Sequence, residues 1–345
     1  MDYPFRNLVF EGGGVKGIAY AGAMEVLEAK GILPNIRRVG GTSAGAINAV
    51  LFGLGYSNEE TKKILRTLNF KNFLDDSWGL VPDIHRLLSD FGWYKGDFFR
   101  NWISDLIRQK TGNGESTFKD IEEQREGKGI YMIGTNLSTR FAEVFSPEHT
   151  PQMVLADAVR ISMSIPLFFA SKRSLRGDVY VDGGVLDNYP IKLFDRKKYL
   201  EARNFRAHSR EPKYYKKHNS ALKEMGKEIS PYVYNKETLG FRLDSEREID
   251  LFRDHAEQPA NKVDDFFSYG WNLIETIMEG QSNQHLHGDD WQRTIYIDTL
   301  GIKTTDFALT DEKKEDLADS GRKNTQKYFD WYDNPKNKPV NRVGT

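Results

Sequence analysis

The pattern of this chain predicts an α/β fold with a mainly parallel sheet, and three observations carry that expectation. Residues 8–52 read as strand, glycine loop, helix, strand, tight serine turn and helix, the alternation of parallel βαβ units. Two glycine clusters, Gly12-Gly13-Gly14-Val15-Lys16-Gly17 and Gly41-Thr42-Ser43-Ala44-Gly45, each sit where a strand passes into a helix. Further buried-type strands recur at Gly129–Thr135, Asp178–Asp182 and Thr294–Ile297. At 345 residues the chain can form one large domain or two smaller ones and bury a substantial core.

Taken in order, Leu8-Val9-Phe10 is a short buried strand, and the small and apolar residues from Val15 to Lys30 predict a buried helix. Gly31 is placed to end that helix as its C′ residue, and Pro34 confirms the break. Ile36–Val39 makes a second short strand, and Ala44–Leu51 a small-residue helix packed close to it. Ser57 to Leu68 reads as a surface helix, with Ser57 and Glu60 spaced for a capping box. Residues 73–103 hold Phe73, Trp78, Phe91, Trp93, Tyr94, Phe98, Phe99 and Trp102. They read as a helical core layer, with an apolar wall over a site as the alternative. Phe141–Phe145 suits another strand, and Leu155–Val159 a helix leading to Ser162-Met163-Ser164-Ile165-Pro166. Asp264–Met278 reads as an amphipathic helix whose apolar residues serve core packing. Thr310 is placed to cap a last helix, with Asp311 and Glu312 in its first turn, and the polar tail from Asn334 is expected to be loose.

Composition excludes several function classes. The 49 basic and 50 acidic residues nearly cancel, so nothing global suggests a nucleic-acid partner. With no cysteine, disulfides, thiolate metal sites and a cysteine nucleophile are out, and a reducing, cytoplasmic setting is expected. Neither a signal pattern nor a run of about 18 apolar residues is present, so no transmembrane segment is expected; secretion without a cleavable signal would leave no trace here.

Chemistry concentrates in three places. Gly41-Thr42-Ser43-Ala44-Gly45 fits the G-x-S-x-G nucleophile elbow, with glycines where a side chain would strike neighbouring backbone. Ser43 is the candidate nucleophile. Gly12, Gly13 and Gly14 would present unhindered N–H groups at a helix start, where partial positive charge favours the oxyanion formed when a serine attacks an ester. Gly12, Gly14 and Gly17 also satisfy G-x-G-x-x-G, but the acidic residue a dinucleotide site needs at the end of the second strand is replaced by the Ser43 turn. A nucleotide-dependent oxidoreductase is therefore a remote alternative. Asp182 ends a strand before Gly183-Gly184 and is the best-placed base for Ser43. None of the seven histidines (His85, His149, His208, His218, His255, His285, His287) ends a buried strand, so a Ser–Asp dyad is favoured over a triad. His285 and His287 read as a solvated loop rather than a metal pair.

Glu11 through Gly17, Gly41 through Gly45 and Asp182-Gly183-Gly184, in this order, resemble the patatin-like phospholipase family, and Ser164-Ile165-Pro166 and Asn188-Tyr189-Pro190 resemble its secondary signatures. The resemblance covers roughly residues 5–305. It implies a three-layer α/β/α fold with a mainly parallel central sheet and a Ser–Asp dyad that hydrolyses acyl esters of lipids, with no metal or cofactor. By resemblance Ser43 is the nucleophile, Asp182 the base, and Gly12, Gly13 and Gly14 the oxyanion loop. Glu11 stands where plant members carry aspartate and Lys16 where many carry arginine; Lys16 keeps the charge, as support for a phosphate or oxyanion, but loses bidentate reach. A lipid substrate at a membrane surface is the implied partner, and there is room for a protein activator. A non-catalytic lipid-binding or regulatory protein with the same fold is the alternative.

Between Arg196 and Lys217 stand nine Lys or Arg against two acids, with Tyr199, Phe205, Tyr214 and Tyr215 interleaved. This reads as a basic, mobile insertion over 196–235, with docking on anionic lipid as its functional reading. Residues 306–333 are expected to pack as a C-terminal helix on the domain, followed by the tail at 334–345.

Overall fold

The computed structural model describes residues 3–73, 89–124, 128–174, 176–201, 203–244, 263–264, 266–283 and 289–343. In chain order its strands are β1 (Asn7–Phe10), β2 (Arg38–Gly41), β3 (Gly92–Tyr94), β4 (Gly129–Asn136), β5 (Phe141–Phe145), β6 (Leu167–Phe169), β7 (Lys172–Arg173), β8 (Val179–Asp182), β9 (Ser209–Arg210), β10 (Tyr234–Asn235), β11 (Thr238–Asp244) and β12 (Thr294–Asp298). The helices are α1 (Ala19–Ala29), α2 (Ala44–Gly53), α3 (Asn58–Thr67), α4 (Asp97–Thr111), α5 (Phe118–Gln124), α6 (Leu155–Ser162), α7 (Gly184–Asp187), α8 (Phe205–His208), α9 (Lys213–Glu224), α10 (Phe266–Asn283) and α11 (Asp311–Asp333).

Among the described residues the main sheet runs β12-β11-β1-β2-β4-β8-β7, with β5 on the other edge of β4. From β12 to β4 every pairing is parallel, as crossover helices require; β5, β8 and β7 add antiparallel neighbours. The fold is thus α/β with a mostly parallel sheet. Leu8 and Phe10 point into the larger core with residues of α1, α2 and α11, while Val9 points the other way, against Tyr131, Tyr189, Ile191 and Phe194. That two-sided burial explains why β1 reads as an unbroken apolar run. Helices α1 and α11 cross almost backbone to backbone: a Cβ on Gly22 would lie 1.7 Å from the Ala318 carbonyl oxygen, and one on Gly321 1.9 Å from that of Ala19. Only glycine fits either position.

Several expectations need correction. The first buried helix starts at Ala19, because Gly14 takes φ +55° and Gly14–Ile18 winds as a 3₁₀ turn. Within the aromatic stretch, Gly92–Tyr94 is a strand paired with β6, Phe99 is buried on α4, and Phe91 and Phe98 are exposed; Trp78 lies outside the described residues. The basic segment carries α8, β9 and α9, and several of its cations are engaged: Lys198 pairs with Glu148, Arg203 with Glu201 and Arg210 with Asp289. Tyr199 is buried and Tyr215 stacks on Tyr232 at 5.6 Å, so these rings pack instead of projecting as anchors. The tail folds back as far as it is described. Tyr332 donates to the Asn341 carbonyl at 3.2 Å, the Val340 N–H donates to Gln292 Oε1 at 2.8 Å, and Asn341 is buried. The capping box of Ser57 and Glu60 and the Thr310 cap form as expected.

Candidate active site

Ser43 occupies the turn between β2 and α2 with φ 53° and ψ −122°. For a residue with a side chain such a backbone costs on the order of 1–3 kcal/mol, which surrounding packing must hold in place. Two close approaches do so. A Cβ on Gly41 would lie 2.4 Å from the Gly45 carbonyl carbon, and one on Gly45 2.3 Å from the Phe10 carbonyl oxygen. The Ser43 N–H donates to Ser162 Oγ at 3.0 Å, and Thr42 Oγ1 donates to the Asp187 carbonyl at 2.9 Å.

Topology brings Asp182 to the same point. Gly41 of β2 lies opposite Met132 of β4, and Asp182 of β8 lies opposite Gly134, while β5 takes the far edge of β4 along Met132–Asn136. β2 and β8 therefore share one edge of β4 and run toward each other, so the turn after β2 confronts the end of β8. Asp182 is fully buried, and its Oδ1 accepts the Gly184 N–H at 2.7 Å. Its Oδ2 has no hydrogen-bond partner among the described residues. Burial pushes the Asp182 pKa up to about 7, against the Gly184 N–H and the Ser43 hydroxyl, which both lower it. The Ser43 hydroxyl itself donates to Met163 Sδ at 3.4 Å. His149 is engaged with Ser146 and His208 with Glu237; His85, His255, His285 and His287 lie outside the described residues.

The glycine loop packs directly on Ser43: a Cβ on Gly12 would sit 3.1 Å from Ser43 Cβ and 2.4 Å from Asn188 Oδ1. Its three N–H groups are not equivalent. That of Gly12 donates to the Asn188 carbonyl at 3.0 Å, whereas those of Gly13 and Gly14 make no hydrogen bond among the described residues. The loop is buttressed from the second half of the chain. The Val15 N–H donates to the Thr304 carbonyl at 3.2 Å, and the buried Glu11 carboxylate accepts the Leu243 N–H at 2.7 Å and the Asn188 side-chain amide at 3.4 Å. Lys16 is half-buried and forms no ion pair among the described residues. Ser162 and Met163 carry no local signal of their roles, which exist only because the end of α6 meets the elbow.

A family model described as patatin-like phospholipase matches residues 8–195. The chain belongs to the patatin-like phospholipase family. Among relatives of this patatin-like chain, the uncharacterized protein YqhO of Bacillus subtilis is 30% identical over 335 residues, which is 93% of this chain and 97% of YqhO. The "Probable lipid hydrolase 463L" of Invertebrate iridescent virus 6 is 26% identical over 194 residues, covering 55% of this chain and 63% of that protein. Of solved structures, VipD from Legionella pneumophila superposes with a TM-score of 0.62 at 18% identity, over 95% of this chain and 67% of VipD, a likeness of fold. The matched stretch at 8–195 contains Ser43, Asp182, Asn188 and the glycine loop, while Leu243 and Thr304, which brace that loop, lie beyond it.

Proposed function

We propose that this patatin-like protein is a lipid acyl hydrolase that uses Ser43 as nucleophile and Asp182 as its base. The reading rests above all on one observation: a serine held at positive φ on a strand-to-helix turn faces a fully buried carboxylate that has no cation beside it among the described residues. In the reaction the Ser43 side chain turns from Met163 toward Oδ2 of Asp182, which accepts its proton as the oxygen attacks the ester carbonyl. A free carboxylate, with a pKa near 4, is a poor base for a hydroxyl. Burial, by lifting Asp182 to about 7, narrows the gap. The N–H groups of Gly13 and Gly14 are free to hold the oxyanion, each such donor being worth about 3–4 kcal/mol of transition-state stabilisation. Gly12 instead ties the loop to Asn188. Asp182 returns the proton to the leaving alcohol as acyl-Ser43 forms, then takes one from the water that attacks this ester and passes it to Ser43 Oγ as the fatty acid leaves. Lys16, unpaired beside the loop, supplies positive charge for a phosphate or for the oxyanion.

The test is release of fatty acid from mixed phospholipid vesicles by the wild-type chain beside Ser43→Ala and Asp182→Asn, with a soluble short-chain ester in parallel. Serine- and aspartate-dependent release on lipid supports the reading. Turnover that survives either substitution sinks the dyad, and a folded wild type inactive on both substrates favours the non-catalytic lipid-binding alternative.

A further inference from the structure

A dyad that is 1% and 0% exposed cannot be reached from water without crossing what covers it, and α10 is one of the elements packed beside its aspartate. Met278 of α10 packs on the turn after Asp182: a Cβ on Gly184 would lie 2.5 Å from its Cε. Gly270, Ile274 and Met278, spaced by four, form the inward row, and Gly270 approaches Leu167 of β6. The neighbouring row is also apolar, yet it faces solvent: Tyr269 is 58% exposed, Leu273 49% and Ile277 41%. α10 was expected to use its apolar residues for the core; only one of the two rows does so.

The approach of Gly270 to Leu167 leads from α10 to a second exposed ring. Leu167 pairs with Gly92, and next to it stands Phe91, 45% exposed. The Arg173 guanidinium lies 5.7 Å from the Phe91 ring. Arg173 and Arg176 are exposed, and neither forms an ion pair among the described residues, while Asp178 and Asp90 are the nearby acids along the chain. An apolar row that leads to an exposed ring with a guanidinium against it suits an interface between acyl chains and anionic headgroups.

We propose that the outer row of α10, with Phe91 and Arg173 at its end, is the surface through which this protein docks on an anionic lipid bilayer, so that substrate enters beside Asp182 without passing through water. The proposal rests on the lipid-hydrolase reading for its purpose, but docking is measured apart from catalysis. Because the chain has no cysteine, Leu273→Cys and, as a remote exposed control, Met225→Cys can each be labelled with an environment-sensitive fluorophore in a Ser43→Ala background. On vesicles of equal parts phosphatidylcholine and phosphatidylglycerol, the label at 273 should shift to the blue and be quenched by nitroxide lipids, and the label at 225 should not. The double variant Leu273→Asn, Ile277→Asn should melt as the parent does and lose about tenfold in vesicle partition, as expected for two half-exposed aliphatic groups withdrawn from lipid. No shift at 273, equal shifts at both positions, or undiminished partition of the folded double variant would each overturn the assignment. Absence of serine-dependent fatty-acid release with the 273 signal intact would instead overturn the hydrolase reading alone.

Discussion

Asp182 and Asp195 are both buried carboxylates, and the protein treats them in opposite ways. Asp195 is gripped by Arg293 through two hydrogen bonds of 2.7 Å, and Arg293 also reaches Asp290 at 2.7 Å and stacks on Tyr234. Burial alone would lower the pKa of Arg293, but Asp195 and Asp290 hold it well above its ordinary value. This cluster ties the chain after α7 to the start of β12. Among the described residues Asp182 has the Gly184 N–H and the neighbouring Ser43 hydroxyl but no cation, and its pKa rises to about 7. A carboxylate paired with a cation fastens structure; one held among neutral neighbours has its pKa raised toward the range a base needs. The difference between neighbours, not burial, separates the two settings.

The largest test of this contrast is catalytic. Ser43→Ala and Asp182→Asn should each lower hydrolysis of a soluble ester by up to about ten-thousandfold, while far-UV circular dichroism stays unchanged; activity within tenfold of wild type would remove Asp182 from its role. Next comes the paired carboxylate. Asp195→Ala leaves Arg293 short of its main partner in the interior and should cost about 3–5 kcal/mol by urea unfolding.

The pH dependence sharpens the comparison further. The native pKa of Asp182 is about 7, above the unfolded value of about 3.9. Between these values the native state holds a proton that the unfolded state has released, so this group makes stability fall as pH rises. The penalty is absent below about pH 4 and full above about pH 7, on the order of 4 kcal/mol. Asp182→Asn should therefore be more stable than wild type at pH 8 and nearly equal at pH 4, and wild-type turnover should fall as pH drops through about 7. A flat difference between pH 4 and pH 8 would refute the raised pKa. The smallest effect belongs to the surface. Arg210 and Asp289 pair with about a third of each side chain exposed, so Arg210→Gln should cost less than about 1 kcal/mol, and a loss as large as that of Asp195→Ala would collapse the distinction.

The parts of the site that were legible in the chain are those that a local backbone demand writes into residue type. The glycines at 41 and 45 appear because backbone passes within 2.4 Å of where their side chains would be, and Gly183 follows Asp182 for the same reason, with the Ile133 carbonyl oxygen 2.3 Å from where its Cβ would lie. Strand β1 was legible because burial on both faces leaves an apolar run. The inequivalence of the three glycine N–H groups was not legible, since it depends on the Asn188 carbonyl arriving from the far side of the sheet. Nor was the outer row of α10, because a helix with two apolar rows looks the same whether one or both are covered.

The chain alone therefore determined the α/β alternation, the elbow, and the candidacy of Ser43 and Asp182, each encoded within a few consecutive residues. Tertiary structure decided what those groups can do. It set β2 and β8 end to end on one edge of β4, gave Asp195 a cation and Asp182 none among the described residues, and left one apolar face of α10 in water. These outcomes depend on which distant segments meet, and burial and charge pairing acquire their values only after they have met.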